Sequence, residues 1–200
     1  MSLKDWIAPG RTALLLVDMQ VDFAQGGDAR NNSDIQAAVR QAEILAAAAR
    51  AANVPCVFVR LVTRPQDDTA FLAEWKKRRG TDKDEPLCRE GTRGADFVGP
   101  RPQGGEMVFS KSRYNGFAGT GLDAALRGAG IDTLVVAGLT TECCIDSTVR
   151  DAFERDYHVV VASDATACNA PDLQKAALKA LALNCASLAS TADIRAAWNI

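Results

Sequence analysis

Three polar residues stand where apolar, strand-like runs of this chain give out: Asp18 after TALLLV, Lys111 after EMVFS, and Cys144 six residues beyond Gly138, within GLTTECCIDSTVRDAFERDY. A carboxylate, an ammonium and a thiol are a sufficient set for nucleophilic acyl chemistry. A thiol where a helix begins meets unpaired amides and partial positive charge, and a nearby lysine adds to that field, so the thiolate of Cys144 is expected to be favoured. Asp18 can then take the thiol proton, pass it to a departing amine and activate water against the acyl enzyme. No histidine is required. Cys143 adjoins Cys144, and spacing alone leaves open whether one of the two reacts or both simply fill a seam between helix and sheet.

Such a set works only if the fold brings distant segments together. Strand-like runs at 12–18, 54–62, 106–111, 133–138, 158–163 and, more weakly, 185–190 alternate with helix-forming stretches at 33–53, 119–130, 142–156 and 171–184. The runs do not alternate strictly between apolar and polar, which suits strands covered on both faces. Ser33 and Asp34 are placed to cap one helix, Pro171 to open another, and GAG at 128–130 to end a third. The pattern predicts an α/β chain with a three-layer α/β/α, Rossmann-like fold and a mostly parallel six-stranded sheet. Right-handed crossovers then carry ligands to the carboxyl ends of the strands. Residues 63–105 are rich in charge, glycine and proline, which predicts one short helix and a long excursion serving the site or a subunit contact.

Two hundred residues, 48% of them hydrophobic, are enough for one well-packed domain spanning 1–200. The 23 basic and 25 acidic residues are mixed along the chain, leaving a net charge of −2 and no field to recruit nucleic acid or an anionic membrane. The basic run Lys76, Lys77, Arg78 and Arg79 is followed by Asp82, Asp84 and Glu85 and reads as a solvated helix end. No stretch is long enough to span a bilayer, and the apolar burst at 13–17 is too short for a signal segment, so the expected location is cytoplasmic. Six scattered cysteines point to reduced thiols; Cys56, Cys143, Cys168 and Cys185 default to core. With no CxxC pair and a single histidine, His158, inside an apolar run, a structural zinc site is not expected. GFAGTG at 116–121 has neither dinucleotide nor P-loop spacing and reads as a turn into a helix.

At LLLVDMQVDF (14–23), FSKSRYNGFAGTGLD (109–123) and VAGLTTECCIDSTVRDA (136–152) the chain resembles the isochorismatase-like cysteine hydrolase superfamily over nearly its whole length. The resemblance implies Asp18, Lys111 and Cys144 as the catalytic triad, and so chooses Cys144 over Cys143. It also implies a cis peptide at Leu139–Thr140 and an oxyanion hole made by the amides of Thr140 and Cys144. Metal-dependent nicotinamidases of the superfamily carry histidines after the second strand, whereas TRPQDD (63–68) has none; members that cleave the vinyl ether isochorismate commonly lack the cysteine. The implied activity is metal-independent hydrolysis of a C–N bond in a small amide, carbamoyl or ureido substrate, without a cofactor. Isochorismate-type vinyl ether cleavage and a non-catalytic binding role are the alternatives. Glu142 stands where asparagine is frequent in the amidase and ureide branch, which bears on specificity. The family also suggests a homo-oligomer.

Substrate contacts are expected from aromatic walls at Phe23, Trp75 and Tyr114, and from a guanidinium able to hold a carboxylate in two bonds, with Arg113, Arg93 and Arg64 in range of the motifs.

Overall fold

A computed structural model describes residues 2–81, 83 and 85–200; Asp82 and Asp84 of the acidic stretch after the basic run lie outside the described residues. Six strands form one sheet: β1 (Thr12–Val17), β2 (Cys56–Leu61), β3 (Met107–Lys111), β4 (Thr133–Leu139), β5 (His158–Ala167) and β6 (Ser187–Ala189). Their order is β3-β2-β1-β4-β5-β6, and every pairing is parallel. β1 and β4 are buried along their whole length, which is why their apolar runs are unbroken.

The chain's helices are α1 (Leu3–Trp6), α2 (Val21–Gln25), α3 (Ser33–Ala51), α4 (Ala70–Arg78), α5 (Leu122–Gly128), α6 (Asp146–Glu154), α7 (Pro171–Asn184) and α8 (Thr191–Ala197). Alternate residues of β1 serve opposite faces of the sheet. Leu14 and Leu16 pack with Ile35, Ala42 and Leu45 of α3 and Ile194 of α8. Ala13, Leu15 and Val17 pack with Leu122 and Leu126 of α5, Val149 of α6 and Leu181 of α7. The result is helix, sheet, helix, in the three layers expected.

Several boundaries differ from the sequence reading. Asn32, rather than Ser33 or Asp34, caps α3, its side chain accepting from the amides of Asp34 and Ile35 at 3.0 and 3.1 Å. β5 runs on to Ala167, past the expected end at 163, through an irregularity that shifts its register against β4 between Val136 and Gly138. The helical stretch from 142 divides: Thr141–Ile145 is a π turn, and α6 begins only at Asp146. α8 was not anticipated. The 63–105 excursion contains α4 and short 3-10 turns at Pro65–Asp67 and Arg93–Ala95. All six cysteines are free thiols, and His158 opens β5 with its ring 5.9 Å from that of Trp6. No described helix is long and apolar enough to cross a membrane.

Candidate active site

β1 and β4 are neighbours, and their carboxyl ends meet because Gly138 allows it. Gly138 has φ +137°, and a Cβ there would stand 1.9 Å from the Val17 carbonyl oxygen. No side chain fits that approach. Directly beyond Val17, Asp18 turns the chain in a left-handed conformation, φ +51°, with its amide on the Val59 carbonyl at 2.8 Å and its own carbonyl accepting from Gln20 at 2.8 Å. Beyond Leu139 the peptide bond to Thr140 is cis. The π turn follows, with the amides of Cys143 and Ile145 both donating to the Thr140 carbonyl at 3.2 Å. Thr141 and Thr166 share a hydroxyl hydrogen bond of 2.7 Å that ties the turn to β5. Lys111 is the last residue of β3, in register with Leu61 of β2.

These segments bring the three side chains together. Lys111 Nζ donates to Asp18 Oδ2 at 2.6 Å, to the Arg113 carbonyl at 3.0 Å and to Cys144 Sγ at 3.5 Å. Asp18 is 0% exposed and Lys111 and Cys144 are each 3% exposed. The other carboxylate oxygen, Asp18 Oδ1, is buried with no hydrogen-bond partner among the described residues.

Charge in so dry a place is expensive, and the three groups divide it unequally. Burial pushes the Asp18 carboxyl up from its ordinary value, while Lys111 opposes the shift. Burial works against the Lys111 ammonium, yet the Asp18 carboxylate, with hydrogen bonding to Asp18 and Cys144, holds it above the usual lysine range. The Cys144 thiol is pushed up by hydrogen bonding with Cys143, by burial and by the Asp18 carboxylate, against the pull of Lys111. The same hydrogen bond lowers the Cys143 thiol, so the two adjacent sulfurs titrate together. Cys144 lies in the π turn ahead of α6, not in the helix's first turn, and a carboxylate already holds the negative charge. The site holds a buried carboxylate–ammonium pair at 2.6 Å, with the Cys144 sulfur 3.5 Å from the ammonium.

Gln20, which sequence reasoning passed over, braces this centre. Its buried amide donates to the carbonyls of Leu61 and Ala95 at 2.8 and 2.9 Å and accepts from the Leu61 amide at 2.8 Å, joining the end of β1 to β2 and to the 93–95 turn. The available signal was a lone amide side chain two residues after Asp18 in an apolar stretch. Thr148 and Asp151 of the STVRDA motif hold the segment after Lys111 against α6: Thr148 accepts from the Gly116 amide at 3.0 Å, and Asp151 accepts from Asn115 at 2.6 Å.

The expected substrate contacts fall less neatly. Phe23 is partly buried against Leu61, Cys88 and Ala95. Trp75 and Tyr114 are 45% and 51% exposed. Arg113 sends its guanidinium to the carbonyls of Ser112 and Asp67 at 2.8 and 3.1 Å, and Arg64 pairs with Glu90 at 2.8 Å. Arg93 lines a surface cavity of about 270 Å³ with Arg60, Glu90 and Asp96. A second cavity, of about 330 Å³, lies between Asp68, Leu72, Lys76 and Pro86. Neither is lined by Asp18, Lys111 or Cys144, all of which are buried. Glu142 is exposed on the π turn. Among the described residues, no cluster of three or more His, Cys, Asp or Glu side chains is placed to hold a metal ion.

The family model for the isochorismatase domain matches residues 12–193. The chain belongs to that family. It is 34% identical over 190 residues to the ureidoacrylate amidohydrolase RutB of Pseudomonas savastanoi pv. phaseolicola, covering 85% of this chain and 76% of the relative. Among solved structures, a cysteine hydrolase from Pseudomonas syringae pv. phaseolicola superposes with a TM-score of 0.84 at 28% identity, over 97% of this chain and 95% of that one. The N-carbamoylsarcosine amidase of Thermoplasma acidophilum superposes with a TM-score of 0.74, also at 28% identity, over 90% and 96%.

Proposed function

We propose that this isochorismatase-family protein is a metal-independent cysteine amidohydrolase acting on a C–N bond of a small amide, carbamoyl or ureido substrate. The observation that carries the reading is the buried contact of Lys111 with both Asp18 and Cys144, beside a carboxylate oxygen with no hydrogen-bond partner among the described residues. The names of the related amidohydrolase and amidase support the substrate class.

The chemistry follows from the resting charges. As Cys144 Sγ attacks the substrate carbonyl carbon, its proton passes to Asp18, and negative charge moves from the carboxylate to the substrate oxygen. The amides of Thr140 and Cys144 receive that oxyanion; the Thr140 amide has no acceptor among the described residues. Asp18 then gives its proton to the leaving nitrogen as the C–N bond breaks, leaving an acyl thioester. Water, deprotonated by Asp18, attacks the thioester and returns Cys144 as a thiol. Lys111 keeps its charge throughout and limits the cost of moving an electron pair through a dry site. Every proton has a protein donor or acceptor, so no metal is called for.

The family match over 12–193 and a sheet that draws strands from the whole length support a single domain over 1–200. Exposed Phe71 and Trp75 of α4, 74% and 45% accessible, support a homo-oligomer in which this helix is covered. Free thiols support a reducing, cytoplasmic setting. The activity is tested by ammonia release from a panel of ureido acids and carboxamides. Cys144→Ala is expected to lower turnover at least about 10³-fold while keeping the fold; full turnover by that variant overturns the reading.

A further inference from the structure

Three buried side-chain polar atoms lack a hydrogen-bond partner among the described residues: Asp18 Oδ1, Arg89 Nη1 and Gln174 Oε1. Buried polar atoms are rarely left so, and a charged donor least of all. All three lie at one end of the sheet. Asp18 follows β1, Arg89 bridges to Thr63 just beyond β2, and Gln174, in the first turn of α7, donates to the Thr166 carbonyl near the end of β5 at 3.0 Å. Asp18 Oδ1 has its use in proton transfer. The donor on Arg89 has none.

We propose that Arg89 is the anchor for a carboxylate carried by the substrate, a specificity that rests on the hydrolase reading above. Its place in the fold is well defined. The Thr63 amide donates to the Cys88 carbonyl and the Glu90 amide to the Thr63 carbonyl, both at 3.0 Å, so Arg89 is held in a short parallel bridge past the end of β2. Thr63 lies two residues beyond Leu61, the register partner of Lys111. Strand spacings then put the Arg89 backbone on the order of 10 Å from Lys111, a gap that a guanidinium and a small acid span together. Cys88, next in the chain, lies close enough to Asp18, Asp22 and Lys111 to feel their charges.

The guanidinium is half committed. Asp68 Oδ2 accepts from Nη2 at 2.7 Å, and Nη1 has no acceptor among the described residues. Of the other candidate cations, Arg64 is paired with Glu90, Arg113 with two carbonyls, and Lys111 with Asp18 and Cys144, while Arg93 is exposed on a surface cavity that none of the three central side chains lines. A carboxylate accepting from Nη1 supplies the missing acceptor, and the planar fork of arginine gives it direction as well as charge. Substrates are thus expected to carry an acid group at one end and the scissile amide or ureide at the other.

Binding separates this proposal from catalysis. Ureidoacetate, 3-ureidopropionate and succinamate, each beside its methyl ester, are titrated calorimetrically into Cys144→Ala, which cannot turn them over, and into Cys144→Ala combined with Arg89→Gln or Arg89→Lys. At least one acid is expected to bind about 10- to 100-fold tighter than its ester to Cys144→Ala, with the preference lost on Arg89→Gln and mostly lost on Arg89→Lys. Equal binding of acids and esters, equal weakening of both by Arg89→Gln, or no binding by any acid overturns the anchor. Arg89→Lys keeps a cation beside Asp68, and thermal unfolding of each variant separates lost recognition from lost fold. An Arg89-dependent acid preference with no ammonia released by the unmodified protein leaves the anchor standing and removes the hydrolase reading. Hydrolysis of acids and esters alike does the reverse.

Discussion

Asp18 must be ionised to accept the thiol proton and protonated to release the amine, so its pKa sets the working range of the proposed centre. Burial raises that pKa, with Lys111 opposing. Activity is lost as pH falls and the carboxylate of the free protein takes up a proton before substrate arrives. The acid limb of kcat/KM is therefore expected above the ordinary carboxylate range, and it should disappear in Asp18→Asn, whose rate falls about 10²- to 10⁴-fold. A limb at or below the usual aspartate value, or an asparagine variant of undiminished rate, contradicts the assignment. On the alkaline side, Lys111 holds its proton past the usual lysine range, so no loss of the ammonium is expected at moderately basic pH. Two of the other thiols are poor competitors: burial pushes Cys56 up to about 12, and Cys88 is likewise raised by burial, with Asp18 and Asp22 adding to it.

At the scale of elements, the close approach of β4 to β1 is the feature on which the centre depends. Gly138→Ala puts a methyl group into the Val17 carbonyl in a backbone conformation that side chains avoid. It is expected to cost about 2–3 kcal/mol or more in urea unfolding and to separate Cys144 from Asp18 in whatever remains folded. A variant of normal stability and normal turnover shows that the two strand ends need not be held so tightly. The elements themselves were largely legible. TALLLV and TLVVAG have the unbroken apolar character of strands covered on both faces, and the alanine-rich 33–53 stretch has helical spacing. The π turn and the long tail of β5 were not, because both follow from how β4, β5 and α7 pack, through contacts such as the Thr141 and Thr166 hydroxyls, and not from any local period. α8 is a single short segment, TADIRAA, whose Ser190 cap accepts from the Asp193 amide at 3.1 Å; too few residues repeat for a periodic signal.

For the whole molecule, the parallel sheet turns three remote positions into one centre. All strand ends that follow right-handed crossovers emerge on one edge, so Asp18, Lys111 and Cys144 were bound to share it once the strands were recognised. Their mutual contact was not deducible from that alone: β2 separates β3 from β1 in the sheet order, and the Lys111 side chain crosses that gap to reach Asp18. Gln20 and the orphaned donor of Arg89 were likewise invisible, since each depends on which groups face it from other elements. The most direct test is mass spectrometry of the protein quenched in acid during turnover of a ureido or amide substrate. The account predicts an acyl mass added to the peptide holding both adjacent cysteines, localised by fragmentation to Cys144 and absent from Cys144→Ala; turnover with no such adduct, or with the acyl group on Cys143, would contradict it.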